Sequence, residues 1–182
     1  MYTLLSFYTN NWQYPKYAKF LRRNCKNFNI KYIIEELPDQ GDWIANTRMK
    51  TKFVHDKLME LKSPVLWVDV DSTLLRKPHV DLSYDIGAVR KPPNQLRTFY
   101  VSPLFFNYTP KGIEFVKRWY ECDAEGSDHL AFEHVWQEGF DGKMLEFPNY
   151  YCDIKTTGKT VIRLGLSKDP SKQEYFRDLN RS

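Results

Sequence analysis

Two aspartates, Asp69 and Asp71, directly follow a run of four apolar residues in the sequence VLWVDVDST at 65–73. The apolar run predicts a buried strand that ends where the carboxylates begin. Two carboxylates at positions i and i+2 on one strand face could both reach one divalent cation, and their hard oxygen atoms suit Mg²⁺ or Mn²⁺. Burying carboxylates near a core is costly unless a cation compensates them. We therefore interpret the pair as a metal site, in which the ion would neutralise a diphosphate and help it leave.

The same pair of aspartates allows two other interpretations. A bare D-x-D is common by chance where a strand meets solvent, although it is rarer directly after four apolar residues. DVDST also resembles the D-x-D-[ST]-T start of phosphatases of the haloacid-dehalogenase type, in which Asp69 would be the nucleophile and Asp71 the general acid. That chemistry needs a second acidic pair after a later strand, and residues 140–147, FDGKMLEF, do not supply one. The motif also normally lies on the first strand of those enzymes, whereas here a predicted β-α-β-α unit precedes it. The phosphatase is therefore kept only as an alternative to the metal site.

The segments before the aspartates predict a parallel sheet covered by helices. Apolar runs and amphipathic segments alternate in the order strand 2–9, helix 15–28, strand 31–37, helix 43–61 and the strand before Asp69. Such a β-α-β-α-β order is typical of a parallel sheet, in which ligands bind beyond the carboxyl ends of the strands. We therefore expect Tyr8, Thr9 and Asn10, which end the first strand, to lie at the same edge as Asp69.

The second half of the chain is less regular. Its pattern predicts strands at 85–90, at 99–109 with a break at Pro103, at 144–151 and at 160–166, and helices at 110–121 and 128–138. Thr109 and Ser127 are the expected N-caps of the two helices. The residues from 167 onward form a polar tail.

Composition and charge narrow the possible partners and location. The 182 residues are 42% hydrophobic and 27% charged, with a formal net charge of +4, which predicts one globular domain. The basic residues are spread along the chain, so we expect no nucleic-acid partner. Cys25, Cys122 and Cys152 are far apart and predict free thiols in a reducing compartment without structural zinc. With neither a signal peptide nor a membrane span in the pattern, the sequence predicts a cytoplasmic protein, in the host cytosol if its source is viral.

Three blocks, ANTRMKTKFVHDKL, VLWVDVDSTLLRKP and SDHLAFEHVW, occur in that order. Together they resemble nucleotide-sugar-dependent glycosyltransferases of the GT-A type, most of all small bacterial and viral members with a "lWlDaD" strand. The resemblance extends over roughly residues 2–165. It implies a three-layer α/β fold with a central mixed, mostly parallel sheet. A nucleotide-binding half would span about 1–75 and an acceptor-side half about 76–166, followed by the polar tail 167–182.

The resemblance implies a role for several strand-end residues in donor binding. Asp69 and Asp71 would bind Mn²⁺ or Mg²⁺ together with the ribose and diphosphate of the donor, most favourably a UDP-sugar. Ser6, Tyr8 and Thr9 would contact the base and ribose. The sugar would pass to a hydroxyl of a glycan or similar acceptor.

Arg48 and Lys52 are expected near the diphosphate or donor sugar, and they have an argument of their own. They lie one helical turn apart, and guanidinium and ammonium groups on one helix face match phosphate oxygens. A solvated basic face is the simpler explanation of the same spacing. In that case Asp39 and Asp42 could pair with these two side chains.

Asp128 begins the block SDHLAFEHVW and is the candidate for the acceptor side. Acidic residues favour the first turn of any helix because of the helix dipole, so the position alone is weak support. In the resembling enzymes an Asp-Gln-x-x-x-Asn pattern places its aspartate toward the acceptor or the reacting carbon. Here His129 replaces the glutamine, and Glu133 or His134 lies near the asparagine position. Asp128 would be the general base for an acceptor hydroxyl, and His129 a hydrogen-bonding group beside it.

One position departs from the pattern of the resembling enzymes. They often carry a late histidine as a further metal ligand, whereas this chain reads TVIRLGLSK with Arg163 or Leu164 at that place. The ion would then depend on Asp69, Asp71, phosphate oxygens and water, as Mg²⁺-type sites often do. Arg163 or Lys168 could add positive charge near the diphosphate. The missing histidine keeps open a non-catalytic module that binds a nucleotide sugar without turning it over.

Overall fold

The computed structural model describes residues 1–93, 97–122, 126–153 and 157–165. The described elements, in chain order, are β1 (Thr3–Thr9), α1 (Tyr14–Asn27), β2 (Tyr32–Leu37), α2 (Trp43–Leu61), β3 (Val65–Trp67), β4 (Thr73–Leu74), β5 (Ile86–Arg90), β6 (Phe99–Phe106), α3 (Pro110–Glu121), α4 (Asp128–Gln137), β7 (Met144–Phe147), a 3₁₀ turn (Asn149–Tyr151), β8 (Cys152–Asp153) and β9 (Ile162–Arg163). The predicted polar tail 167–182 lies outside the described residues.

The central sheet has six strands in the order β2-β1-β3-β6-β5-β7. Strands β1, β2 and β3 are mutually parallel, and β7 is parallel to β5. Strand β6 is antiparallel to both of its neighbours, β3 and β5. One reversed strand in an otherwise parallel sheet confirms the predicted mixed, mostly parallel α/β class. The carboxyl ends of β1 and β3 therefore lie at the edge where β6 begins.

Apolar side chains on both faces of the sheet divide the core into two. Leu4 of β1 faces α1, where Leu21 is buried, while the next residue, Leu5, faces the core that contains Val54 of α2 and Phe115 of α3. Successive strand residues point to opposite faces, so a continuous apolar run in β1 supplies both cores. With helices on each face, the molecule has the predicted three layers.

A small second sheet, in the order β4-β9-β8, covers part of the α1 face. It holds the chain immediately after the two aspartates, because Leu74 of β4 is opposite Ile162 of β9. The backbone N–H of Leu74 also donates to Asn24 Oδ1 of α1 at 3.1 Å. The segment that carries the aspartates is thus anchored at both ends, by β3 and by β4.

Two predicted strands differ from the structure at proline. The break expected at Pro103 was wrong, because β6 runs without interruption from Phe99 to Phe106. Its ladder with β3 ends at Leu104, and its register with β5 shifts between Ala88 and Arg90. A strand can contain proline at a position where the neighbouring strand needs no N–H donor, and Pro103 lies beyond the end of the ladder with β3.

The strand expected at 144–151 was wrong in length. It ends at Phe147, and after Pro148 the chain makes the 3₁₀ turn before β8, because proline cannot donate to a ladder. The strand expected at 160–166 is described only as Ile162–Arg163, with residues from 166 onward outside the described part.

Helix caps follow the sequence with one exception. Asp42 begins α2 and its carboxylate accepts from the N–H groups of Ile44 and Ala45. Thr109 begins α3 in the same way, accepting from Gly112. Ser127 occupies the N-cap position of α4, but its side chain makes no capping hydrogen bond. No helix within the described ranges is both long enough and apolar enough to cross a membrane.

Candidate functional site

The two aspartates lie in a turn after β3 and not on one strand face, which corrects the geometry expected from sequence. β3 ends at Trp67, and the N–H of Ser72 donates to the carbonyl of Asp69 at 3.0 Å, closing a turn. Asp71 is buried at 5% exposure, whereas the side chain of Asp69 is 40% exposed. Asp69 is therefore the carboxylate that faces the open edge of the sheet.

The Asp69 carboxylate is held through one of its two oxygens. Trp67 Nε1–H donates to Oδ1 at 2.8 Å, and the ammonium of Lys50 lies 3.1 Å from the same oxygen. The backbone N–H of Asp69 donates to Ser102 Oγ on β6 at 2.9 Å. Among the described residues these contacts leave Oδ2 available to a ligand from the solvent side.

Lys50 of α2 is the centre of a buried polar cluster that the sequence analysis missed. Its Nζ lies 2.5 Å from Asp128 Oδ2 and 3.1 Å from Asp69 Oδ1. It also donates to the carbonyl of Val101 at 3.3 Å and lies 5.3 Å from the centre of the Trp67 ring. The cluster thus joins α2, α4, β6 and the turn after β3.

Burial and charge act in opposite directions within this cluster. Burial alone would lower the pKa of Lys50, but Asp128 and Asp69 more than offset it and the pKa is raised. Burial raises the pKa of the Asp128 carboxyl, and Lys50 opposes that effect. Because the ion-pair distance is only 2.5 Å and a second carboxylate also contacts the ammonium, we take Lys50 and Asp128 as ionised.

Helical spacing could have identified Lys50. It precedes Val54 by one turn and Leu58 by two turns, and both of those residues are fully or almost fully buried on α2. A lysine on the buried stripe of a helix needs a carboxylate partner in the interior. Arg48 and Lys52, which were predicted from the sequence, lie one turn apart on the face of α2 opposite that stripe.

Arg48 and Lys52 do not share one environment. Arg48 Nε donates to the carbonyl of Gly126 at 2.6 Å, just before α4 begins. Lys52 is 60% exposed and pairs with Asp56 at 2.5 Å, not with Asp39 or Asp42. Arg48 therefore lies near the predicted acceptor element, and Lys52 lies on the outer surface of α2.

The predicted donor residues of β1 differ in exposure. Ser6 is fully buried, and its hydroxyl has no hydrogen-bond partner within the described ranges. Tyr8 donates to Glu36 Oε2 at 3.1 Å, and Thr9 Oγ1 donates to Asn11 Oδ1 at 2.8 Å. Tyr8 and Thr9 end β1 at the carboxyl edge of the sheet, and Ser6 lies further from that edge. Tyr8 is partly exposed, whereas Thr9 is buried at 4% exposure.

Three aromatic side chains follow β1 and were not among the sequence-predicted site residues. Trp12 lies 5.8 Å from the ring centre of Tyr14 and 6.0 Å from that of Tyr17. Trp12 is 40% exposed and has a φ of 46°, a left-handed conformation that is unusual outside glycine. An exposed aromatic surface at a strand edge can stack on a base or a sugar.

His129, expected as a hydrogen-bonding group beside Asp128, contacts the start of β6. Its Nε2 lies 2.6 Å from the carbonyl of Phe99, as a donor in the neutral ring. Burial, followed by the charge of Lys91, lowers the pKa of His129 to about 3. Glu133, one turn later, accepts from the N–H of Phe99 at 2.9 Å. Both side chains therefore attach α4 to the start of β6.

No third protein ligand accompanies the two aspartates in the part of the chain that the structure describes. No group of three or more His, Cys, Asp or Glu there is arranged to hold a metal ion. Arg163 is opposite Thr73 in the small sheet, and its Nε is buried. Lys168 lies outside the described residues.

Comparisons with known proteins point to a fold shared with sugar-transferring enzymes. The structure is similar to the crystal structure of a glycosyltransferase involved in the glycosylation of the major capsid of PBCV-1, with a TM-score of 0.71, 14% sequence identity, and coverage of 97% of this chain and 98% of that chain. It is also similar to the glycosyltransferase GlyE of Streptococcus pneumoniae TIGR4, with a TM-score of 0.58, 12% identity, and coverage of 93% of this chain but 56% of that chain. No protein-family profile and no curated protein sequence matches the chain. At these identities the likeness establishes the fold, and the activity has to be argued from the site.

Proposed function

We propose that this protein is a glycosyltransferase that moves a sugar from a nucleotide diphosphate donor, most favourably a UDP-sugar, to a hydroxyl of a glycan or similar acceptor. The carrying observation is the exposed Asp69 carboxylate, held by Oδ1 at the carboxyl edge of β3. It occurs in a fold shared with two glycosyltransferases. Carboxyl strand ends are where α/β sheets bind nucleotides.

A divalent ion fits the donor atoms on this edge. Asp69 Oδ2 is available as a hard oxygen ligand, and Asp71 follows two residues later in the same turn. With two carboxylates and no third protein ligand in the described chain, the site suits Mg²⁺ or Mn²⁺, which commonly keep water and substrate phosphate as ligands. When bound, the ion would supply positive charge to the leaving diphosphate.

The end of β1 would bind the nucleoside. Thr9 and Asn11 supply polar atoms at the strand edge, and the exposed Trp12 ring lies beside them. Tyr8 borders the same edge through its hydroxyl. Ser6 is fully buried, so its contribution to the proposed site is limited to the backbone and to packing below the nucleoside.

Arg48 and Lys52 are proposed as positive charges near the donor. Arg48 is the better placed, because its contact with Gly126 puts the guanidinium beside the start of α4. Lys52 would act at longer range, since its ammonium is exposed and paired with Asp56. Exposed pairs of this kind are weak, so Lys52 could exchange Asp56 for a phosphate at small cost.

Asp128 is proposed as the base that accepts the proton of the acceptor hydroxyl. Burial raises the pKa of Asp128, and the ion pair with Lys50 opposes that effect and favours the deprotonated form that a base needs. Lys50 also contacts Asp69, so donor carboxylate and proposed base are separated by one side chain. Asp128 is only 3% exposed, so neighbouring side chains would have to move for an acceptor hydroxyl to reach it.

The proposal is tested with UDP, UDP-sugars and Mn²⁺. We expect UDP to raise the melting temperature more strongly with Mn²⁺ than without it, as ligand linkage requires. Asp69→Asn combined with Asp71→Asn should weaken Mn²⁺-dependent UDP binding by more than about tenfold and abolish sugar transfer. Asp141→Asn, an exposed carboxylate paired with Lys111 on the opposite half of the molecule, is the matched control.

Three results would contradict the proposal. Unchanged UDP binding and transfer in the Asp69→Asn/Asp71→Asn variant would show that these carboxylates do not hold the donor. Nucleotide-sugar binding with no transfer to any hydroxyl and no hydrolysis would instead indicate a non-catalytic binding module. A covalent fluoroberyllate adduct on Asp69 would indicate the phosphatase chemistry.

A further inference from the structure

Lys50 is a buried charge that the proposed chemistry does not use directly. Its side chain is 6% exposed and that of its partner Asp128 is 4% exposed. An ion pair at that depth costs desolvation energy that the attraction between the charges often only just offsets. A hydrophobic pair could have filled the same space. The cost suggests a role for the ammonium beyond stability.

The contacts of Lys50 restrict the Asp69 carboxylate to one orientation. The ammonium and the indole N–H of Trp67 both approach Oδ1, at 3.1 Å and 2.8 Å. The Asp69 N–H is fixed by Ser102 at 2.9 Å. These contacts fix the plane of the carboxylate, so that one oxygen is held by Lys50 and Trp67 and the other is turned away from them.

We propose that Lys50 is a positioning residue, which orients Asp69 through Oδ1 so that Oδ2 is presented to the donor side, and which couples that carboxylate to Asp128. The inference rests on the proposed function only in naming the donor as the ligand of Oδ2. The orientation of Asp69 is a property of the protein alone. Groups that hold a ligand-binding carboxylate from behind commonly set the affinity of its site.

Because Lys50 contacts both Asp69 and Asp128, a change at one carboxylate affects the other. The three charges of Lys50, Asp69 and Asp128 sum to minus one, so a cation or a hydrogen-bond donor is favoured at Oδ2. Lys50 divides its charge between the two carboxylates, and movement toward one weakens its contact with the other. A ligand that neutralises Asp69 would therefore strengthen the contact between Lys50 and Asp128.

The test compares two variants that differ only at Lys50. Lys50→Met alone leaves Asp128 as an uncompensated buried carboxylate, so Lys50→Met is combined with Asp128→Asn and compared with Asp128→Asn alone. Any difference in binding or exchange between these two proteins is due to the side chain of Lys50. Lys57→Met is the matched control, because Lys57 lies on the same helix and also contacts two carboxylates, Glu35 at 2.8 Å and Glu60 at 3.0 Å.

The first measurement is UDP binding in the presence and absence of Mn²⁺ by calorimetry. By charge alone the Lys50→Met/Asp128→Asn protein, with a sum of minus one around Asp69, would bind Mn²⁺ more strongly than Asp128→Asn, whose sum is zero. Weaker binding in the double variant would therefore report the lost orientation of Asp69, and we expect it to bind UDP with Mn²⁺ at least about tenfold more weakly than Asp128→Asn does. Lys57→Met should match the wild type. Equal affinities in the double and single variants, with both folded by circular dichroism, would overturn the proposal.

The second measurement does not depend on the ligand. The Trp67 indole N–H, identified by its loss in Trp67→Phe, reports its hydrogen bond to Asp69 Oδ1 through its rate of hydrogen exchange. We expect faster exchange in the double variant than in Asp128→Asn, well below the unfolding temperature of each. An unchanged rate would show that Lys50 does not position Asp69. If the wild type bound no UDP while exchange still accelerated, the proposed function would fail and the positioning role would stand.

Discussion

Acid destabilisation through His129 can be predicted with a magnitude. The ring is partly buried against β6, where Nε2 lies 2.6 Å from the Phe99 carbonyl. Burial, assisted by the charge of Lys91, lowers the pKa of His129 from its ordinary value of 6.5 to about 3. The unfolded chain therefore takes up the proton first as the pH falls. The stability contributed by the neutral ring is complete above pH 6.5 and is lost as the pH falls from 6.5 toward 3.

The size of the effect follows from the interval between the two pKa values. Each pH unit within the interval removes about 1.4 kcal/mol, so between pH 7 and pH 4 the loss is about 3 kcal/mol. The assay is urea unfolding of the wild type and of His129→Gln at half-unit steps of pH. Glutamine retains an N–H donor for Phe99 but has no proton to gain. The free energy of unfolding of the variant should fall less steeply over this range.

Other titrating groups largely cancel in that comparison. Glu133, whose Oε1 lies 3.9 Å from His129 Nε2, is present in both proteins. A difference between wild type and variant that stayed constant from pH 7 to pH 4 would refute the argument, because it would show that His129 does not resist protonation in the folded state. Equal m-values at each pH would confirm that the two proteins expose the same amount of surface when they unfold.

Three further predictions follow from packing, from the buried ion pair and from the proposed metal. Gly112→Ala should destabilise the protein by about 2–3 kcal/mol in thermal unfolding, because its Cβ would lie 2.3 Å from the Asn107 carbonyl oxygen; an unchanged melting temperature would contradict this. Lys50→Met should cost about 3–5 kcal/mol in urea unfolding, and adding Asp128→Asn should recover part of that loss, whereas an additive loss would argue against the ion pair. Adding EDTA should reduce the UDP-induced rise in melting temperature to its metal-free value, and a rise that survives chelation would show that UDP binding needs no metal.

The order of the four helices and of the strands of the central sheet could be predicted from the sequence because it is recorded in local patterns, whereas β4 and β8 of the small sheet were not predicted. The apolar runs of β1 and β3 and the cap at Asp42 depend on neighbouring residues only. The same local information predicted that a pair of carboxylates follows the third strand. Local patterns could not show that β6 continues through Pro103 or that β7 ends before Pro148. Whether a strand can contain proline depends on whether a neighbouring strand needs the missing N–H.

The composition of the site was only partly predictable. Asp69 and Asp128 were both chosen from the sequence, but the lysine between them was not, and Arg48 and Lys52 were chosen instead. A basic residue on a helix is expected to be exposed to solvent unless the neighbouring residues at helical spacing show that its face is buried. Lys50 shares its stripe with Val54, and this signal was present but was overlooked.

The sequence by itself determined that two carboxylates follow a buried strand in an α/β chain of this length, because strand and helix preferences act over a few residues. That they lie in a turn was decided by the structure. Only the tertiary structure decided that Lys50 contacts both Asp69 and Asp128. Those three residues come from different elements, and their contact depends on how α2 and α4 pack against the edge where β3 and β6 meet. A charge far away in the chain becomes a neighbour only when the core that surrounds it has formed.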